Sequence, residues 1–496
     1  MSVAEAAELL AAGPSAGEIG VFLAGAQLDA RTVIYRYLLK YRRPGVSDEL
    51  IGLVRRLHGD VEAAGLLPAC SAVQAARLLP ALAAGIRDWT SIAITHPDVM
   101  LDDAEVRLAL GVMSGRLAWQ RSCWDGVLAV AGRQPERVLG LLERHAPPDC
   151  LPGPARHYAA LARSDHDRVI ALLSTPQRAG WLRRAYLPSA VFRAVARADA
   201  GKLVPLARGL GGSGHGIGRL LRALPPARRG ALWQAAHADD GSGRERPSDR
   251  VLALLPAETR AQETLRLLSA DAVRADRKLT LHYTAFLPWD QARGLLAREA
   301  ASDRIFARAD GWQLMISCAV RSRDPDAVSE VIAALREAGR DDDWVRLHVA
   351  RALTQAGRRG LQARDAAPLA RLTAEMLAAP DTSKLTRDAL AALATAVLGR
   401  HPDSPELQSW SLRMIGELFS GPVPELGRLD RELRRGQEQM LFAAVQPQLV
   451  SAIQHGRYQP VLAFARALGR RAARISELQP MLRQAKAGTQ DTPRPA

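Results

Sequence analysis

Between residues 151 and 288 Leu-Pro pairs stand at 151–152, 187–188, 224–225, 255–256 and 287–288, spaced 36, 37, 31 and 32 residues apart. No other feature constrains the fold as tightly, because a fixed period of this length marks a chain built from repeated supersecondary units. Proline suits the first turn of a helix, where its missing N–H costs nothing, and it ends whatever helix precedes it. Each pair therefore predicts a boundary between helices.

A second marker runs out of phase with the first. Arg137-Val138-Leu139, Arg168-Val169-Ile170, Lys202-Leu203-Val204 and Arg250-Val251-Leu252 each lead into further leucines, with the basic residues 31, 34 and 48 apart. Asp239-Asp240-Gly241-Ser242-Gly243, a loop by composition, fills the longest gap. Two interleaved markers per period predict two helices per unit. Within units the helical period is explicit: Val328, Val331, Ile332 and Leu335 form one apolar stripe, as do Leu390, Leu393, Ala394 and Val397. A helix pair cannot bury such a stripe alone, but stacked neighbours can. Val, Ile and Thr never gather into strand-length alternation, and aromatics are only 5% of the chain, so an all-α fold with an Ala/Leu core is expected.

Asp381-Thr-Ser-Lys-Leu-Thr-Arg387, followed by Ala389-Leu390 and Ala392-Leu393, resembles the second-helix signature of HEAT repeats. Asp341-Asp342-Asp343-Trp344-Val345-Arg346, followed by Val349-Ala350 and Ala352-Leu353, is similar to it, with the Asp leading the Arg by five residues instead of six. The resemblance spans residues 130–420 and is specific in these two units. It implies a right-handed α-solenoid of stacked two-helix HEAT-like repeats and a binding habit, without implying an activity. In that family the Asp and Arg form ladders between neighbouring repeats, so the resemblance makes Arg346, Asp381 and Arg387 structural. The expected organisation is an N-terminal helical cap over 1–60, repeats over 61–420, a C-terminal helical cap over 421–486 and a disordered tail over 487–496.

The formal charge is +15 and the pI about 10.4. Only five of the 67 basic residues are lysine, and a chain so rich in Arg, Ala, Gly and Leu fits the coding bias of a GC-rich bacterium. The placement of the charge therefore matters more than its sum. From Arg168 to Arg229 twelve basic residues face a single acid, Asp199, and 455–486 carries a further excess of six. The rest of the chain is close to neutral. Arg178, Arg183, Arg184, Arg193, Arg197, Arg219, Arg222, Arg228 and Arg229 are the candidate residues for binding nucleic acid or another polyanion, since a guanidinium fork grips phosphate in a bidentate way. Trp181, Tyr186 and Phe192 lie among them, and such rings can stack on bases. The alternative is a solvated outer face with the rings in the core.

Gly201-Lys202 has no flanking glycine pattern, so it is not a phosphate loop, and no His-Glu-x-x-His occurs. Gly211-Gly212-Ser213-Gly214-His215 lacks the final glycine and preceding strand of a nucleophile elbow. Asp102-Asp103 and Asp341-Asp342-Asp343 fit helix starts and turns. Cys70, Cys123, Cys150 and Cys318 have neither metal nor disulfide spacing. No cofactor, metal or catalytic residue is expected. The acidic N-terminus and the lack of a long apolar run point to a cytoplasmic chain without membrane insertion. The function expected is a non-enzymatic scaffold that binds a macromolecule, foremost a protein, through its curved surface. The alternatives are a nucleic-acid-binding solenoid using 168–229 and a DNA-alkylation-repair-type glycosylase.

Overall fold

A computed structural model of the chain describes residues 2–109, 117–211, 215–238, 246–358 and 360–490, and the side chains of these except 117–122 and 488–490. Among the described residues there are 32 α-helices, several short 3-10 turns and no strand. The fold is all-α. The loop expected at 239–243, most of the Gly-Gly-Ser-Gly run and the tail from 491 lie outside the described residues, and the last helix, Leu478–Gln490, continues beyond residue 486. The chain forms two compact units, Met1–Pro256 and Ala257–Ala496, so the division falls inside the stretch expected to be one array.

The sequence markers have clear local roles. Pro188, Pro225 and Pro288 are the cap residues before the helices Ser189–Val195, Pro226–Ala236 and Trp289–Ala300. The leucines before them turn inward: Leu187 is 1% exposed and Leu224 2%. Leu187-Pro188 and Leu224-Pro225 thus couple a helix start to an anchor in the core, while Leu287 is only partly buried and Pro152 starts no helix. Other helices start on side-chain caps, with Ser2 and Ser15 each forming a reciprocal capping box with a glutamate three residues on.

In the first unit helices pack in succession on others one or two further along the chain. Pro97–Ala109, Pro135–His145, His166–Leu173 and Ala200–Leu210 thereby form one row. Tyr158–Ser164, Ser189–Val195 and His215–Ala223 form a second row against it.

In the second unit Ile305–Ser322 packs on Asp343–Gly357, which packs on Lys384–Arg400. The stripe Leu390, Leu393, Ala394 and Val397 is fully buried, and Val328, Val331, Ile332 and Leu335 are nearly so. Small residues allow this closeness. A Cβ on Gly311 would collide with the backbone of Glu299 and Ala300, and one on Gly399 with the carbonyl of Glu432.

Arginine–carboxylate pairs join neighbouring helices here. Arg308 grips Asp341 with both arms of its fork, at 2.7 and 2.8 Å. Arg346, only 1% exposed, donates to Asp381 at 2.7 Å and to the Asp341 carbonyl. Arg340 meets Glu375 at 2.9 Å. Arg387 instead donates to the carbonyl of Leu418 at 2.9 Å, so its partner is backbone and not a carboxylate. The three consecutive acids have separate tasks: Asp341 receives Arg308, Asp342 caps the helix at the Trp344 N–H, and Asp343 accepts from Ser383 and Thr386 of the next helix.

Candidate anion-binding surface

The two rows of the first unit carry their charge differently. On the first row each helix is paired to the next. Arg137 reaches Asp102 at 2.6 Å, Arg144 reaches Glu105 at 2.7 Å, and Arg168 is held between Glu136 at 2.6 Å and Glu143 at 2.7 Å. Lys202 continues the series to Asp167. The Arg168 guanidinium holds the Glu143 carboxyl below its ordinary pKa, and Lys202 does the same for Asp167, with burial opposing weakly in both. Arg137, Arg168 and Lys202 are three of the four basic residues of the second sequence marker, and in these three the marker is a rung between helices; the fourth, Arg250, is exposed. Two of the twelve basic residues in the block are therefore neutralised by acids outside it.

Several other arginines of the block bind backbone. The last carbonyls of a helix have no partner inside it, and a guanidinium from the next helix can satisfy them. Arg178, 6% exposed, donates to the carbonyls of Pro147 at 2.8 Å and Leu172 at 2.8 Å. It is buried and thus stands apart from the exposed candidates. Arg219 donates to Leu187 at 2.6 Å, Arg228 to Ala196 at 3.1 Å and to Ala198, and Arg229 to Leu224 at 3.0 Å. For Arg219 and Arg228 these bonds fix the side chain but leave its positive charge uncompensated.

Arg183, Arg184, Arg193, Arg197 and Arg222 are exposed, with no ion pair or side-chain hydrogen bond among the described residues. Arg163, just ahead of the block, is exposed in the same way. Arg163, Arg193 and Arg222 each follow a buried apolar pair (Leu161-Ala162, Val191-Phe192 and Leu220-Leu221) on three consecutive helices of the second row. All three are exposed and hold the same place relative to a buried apolar pair on successive packed helices. In the sequence the signal is an apolar doublet followed by Arg every 29 or 30 residues, with its first member, Arg163, ahead of the charged block.

The three candidate rings separate. Phe192 is 1% exposed and belongs to the core, Trp181 is half-buried, and Tyr186 is 74% exposed. The guanidinium carbon of Arg219 lies 3.9 Å from the centre of the Tyr186 ring. In the terminal stretch, Arg471 and Arg474 lie near Glu438, while Arg457, Arg466, Arg470 and Arg483 are exposed.

Among the described residues no group of three or more His, Cys, Asp or Glu is placed to hold a metal ion. No described helix is long and apolar enough to cross a membrane. Burial pushes the Cys70 and Cys123 thiols up to about 12, so neither carries a thiolate near neutral pH. Comparison with family models, with curated proteins and with solved structures found no match to this chain.

Proposed function

We propose that the chain is a non-enzymatic scaffold of stacked HEAT-like helix pairs, an α-solenoid, whose first unit binds a macromolecular polyanion along the second-row face. One observation carries this: Arg137, Arg144, Arg168 and Lys202 of the first row are paired with carboxylates, whereas Arg163, Arg193 and Arg222 of the adjoining row have no counter-charge among the described residues. Arginine–carboxylate rungs 33 and 35 residues apart in the second unit support the repeat architecture. An open cationic face would attract an anionic partner and bind it in a salt-dependent way.

The test is a titration of the full chain against heparin and a mixed-sequence oligonucleotide at two salt concentrations. Binding should weaken steeply with salt. Replacing Arg183, Arg184, Arg193 and Arg197 together by Glu should abolish it while leaving the helical circular-dichroism signal intact. Binding that survives the fourfold change would overturn the assignment.

A protein partner is favoured by a separate observation in the second unit. Phe306, Trp344 and Leu385 are 69%, 43% and 56% exposed, each at the second position of three neighbouring helices. The Phe306 and Trp344 rings meet edge-on at 5.6 Å. Contiguous exposed apolar residues commonly mark protein contacts. A partner held at moderate salt equally well by the wild type and by Phe306→Ser/Trp344→Ser would remove that alternative.

A further inference from the structure

We infer that the polyanion is a single-stranded nucleic acid and that Tyr186 is the platform on which one of its bases stacks, an inference that rests on the polyanion-binding face proposed above. Tyr186 lies in the link between the helices Ala179–Arg184 and Ser189–Val195. Arg183 and Arg184 precede it, and Arg193 follows within about two helical turns. Its ring is the one strongly exposed aromatic of the block, at 74%.

The ring is also held in place. Arg219, from the next helix of the row, covers one ring face at 3.9 Å and is itself fixed by the Leu187 carbonyl at 2.6 Å. One face of the tyrosine is thus occupied by a guanidinium and the other is open to solvent. A flat, pre-positioned ring costs little side-chain freedom when a second flat group is laid on it. The cation beneath it belongs to the same surface that would hold phosphates.

Three classes of polyanion could use the arginines, and the ring distinguishes them. A polyacidic peptide supplies carboxylates but no regular planar partner. A duplex supplies phosphates but keeps its base faces inside the stack. An open single strand supplies phosphates together with bases free to stack on an aromatic ring. The Arg163, Arg193 and Arg222 helices, at roughly 10 Å between neighbours, would carry a strand of a few nucleotides. The arginines bind without regard to sequence, and the tyrosine accepts any base because each has a π face.

The experiment uses the full chain and fluorescence anisotropy with four probes: an oligothymidylate of about 15 nucleotides, its abasic counterpart of equal length, a duplex of equal length, and polyglutamate as competitor. The oligothymidylate should bind about tenfold more tightly than the abasic strand. Tyr186→Ala should remove that difference without altering abasic binding, and Tyr186→Phe should preserve it, since the ring and not the hydroxyl is used. Equal affinity for the thymidylate and abasic strands, or no loss in Tyr186→Ala, overturns the stacking inference while leaving the polyanion face standing. Duplex binding as tight as single-strand binding, or displacement by polyglutamate at equal charge, overturns the choice of partner. Failure of every probe to bind overturns the polyanion face itself.

Discussion

The arginines at 308–346 and those at 178–228 reach acceptors at similar distances along the chain, but the acceptors differ in kind. Arg308 and Arg346 meet carboxylates 33 and 35 residues on. Arg178, Arg219 and Arg228 meet backbone carbonyls 31, 32 and 32 residues back. Both arrangements tie one helix to another. Only the first removes charge, because a carbonyl satisfies the N–H donors of a guanidinium without neutralising it. Arg308 and Arg346 thus serve cohesion alone. Arg178, Arg219 and Arg228 serve cohesion and keep their positive charge, and five other arginines of the same block have no partner among the described residues.

The sharpest break of this comparison is Arg346→Ala. It would empty the buried space that the Arg346 side chain fills and leave the Asp341 carbonyl without its donor, and truncating a large buried side chain to Ala costs about 2–5 kcal/mol. Urea unfolding should show a drop of that order. Asp381→Asn should cost much less, because Asp381 is 56% exposed. Equal effects from the two would mean that the buried end is not the dominant one.

Next in size is Arg178→Ala, which leaves the Pro147 and Leu172 carbonyls unmet. The expected loss is about 1–3 kcal/mol, insensitive to salt because no ion pair is broken. A strong salt dependence would indicate a carboxylate partner in place of the carbonyls.

Acid should separate the two regions. Burial pushes the Asp341 and Asp343 carboxyls up, but Arg308 and the Asp342 N–H outweigh it at Asp341, and Ser383 and Thr386 do so at Asp343. Both net pKa values lie below the ordinary one. A carboxyl whose pKa is lower folded than unfolded stabilises the fold above its unfolded pKa and loses that contribution as pH falls through the folded value. Stability should therefore hold above about pH 5 and decline below about pH 4. Hydrogen exchange, corrected for its intrinsic pH dependence, should show protection lost around 341–387 before 219–229, where the contacts are to carbonyls. The reverse order would undo the distinction.

The smallest effect belongs to the exposed ladder of the first row. Arg168→Ala should cost about 0–1 kcal/mol and less at high salt, as exposed ion pairs generally do. A larger loss, unaffected by salt, would show that Arg168 acts through packing.

The helices were legible because their signals are local. A proline after a leucine and an apolar residue every third or fourth position both act within one or two turns. The excess of charge between 168 and 229 was equally plain, and so was the presence of Tyr186. Sequence did not show that Arg168 and Lys202 are neutralised, that Arg178 is buried, that Arg163 belongs with Arg193 and Arg222, or that Phe192 is in the core while Tyr186 faces water. Arg387 carries the same limit: its spacing from Asp381 suggested a ladder member, and its acceptor is the Leu418 carbonyl.

The amino-acid sequence by itself determined where the helices begin, which faces they bury and how much positive charge the chain carries. The tertiary structure alone decided which of those charges remain available. An arginine's partner lies some thirty residues away on a neighbouring helix, and half of those partners are carbonyls, which every residue has and no sequence pattern marks.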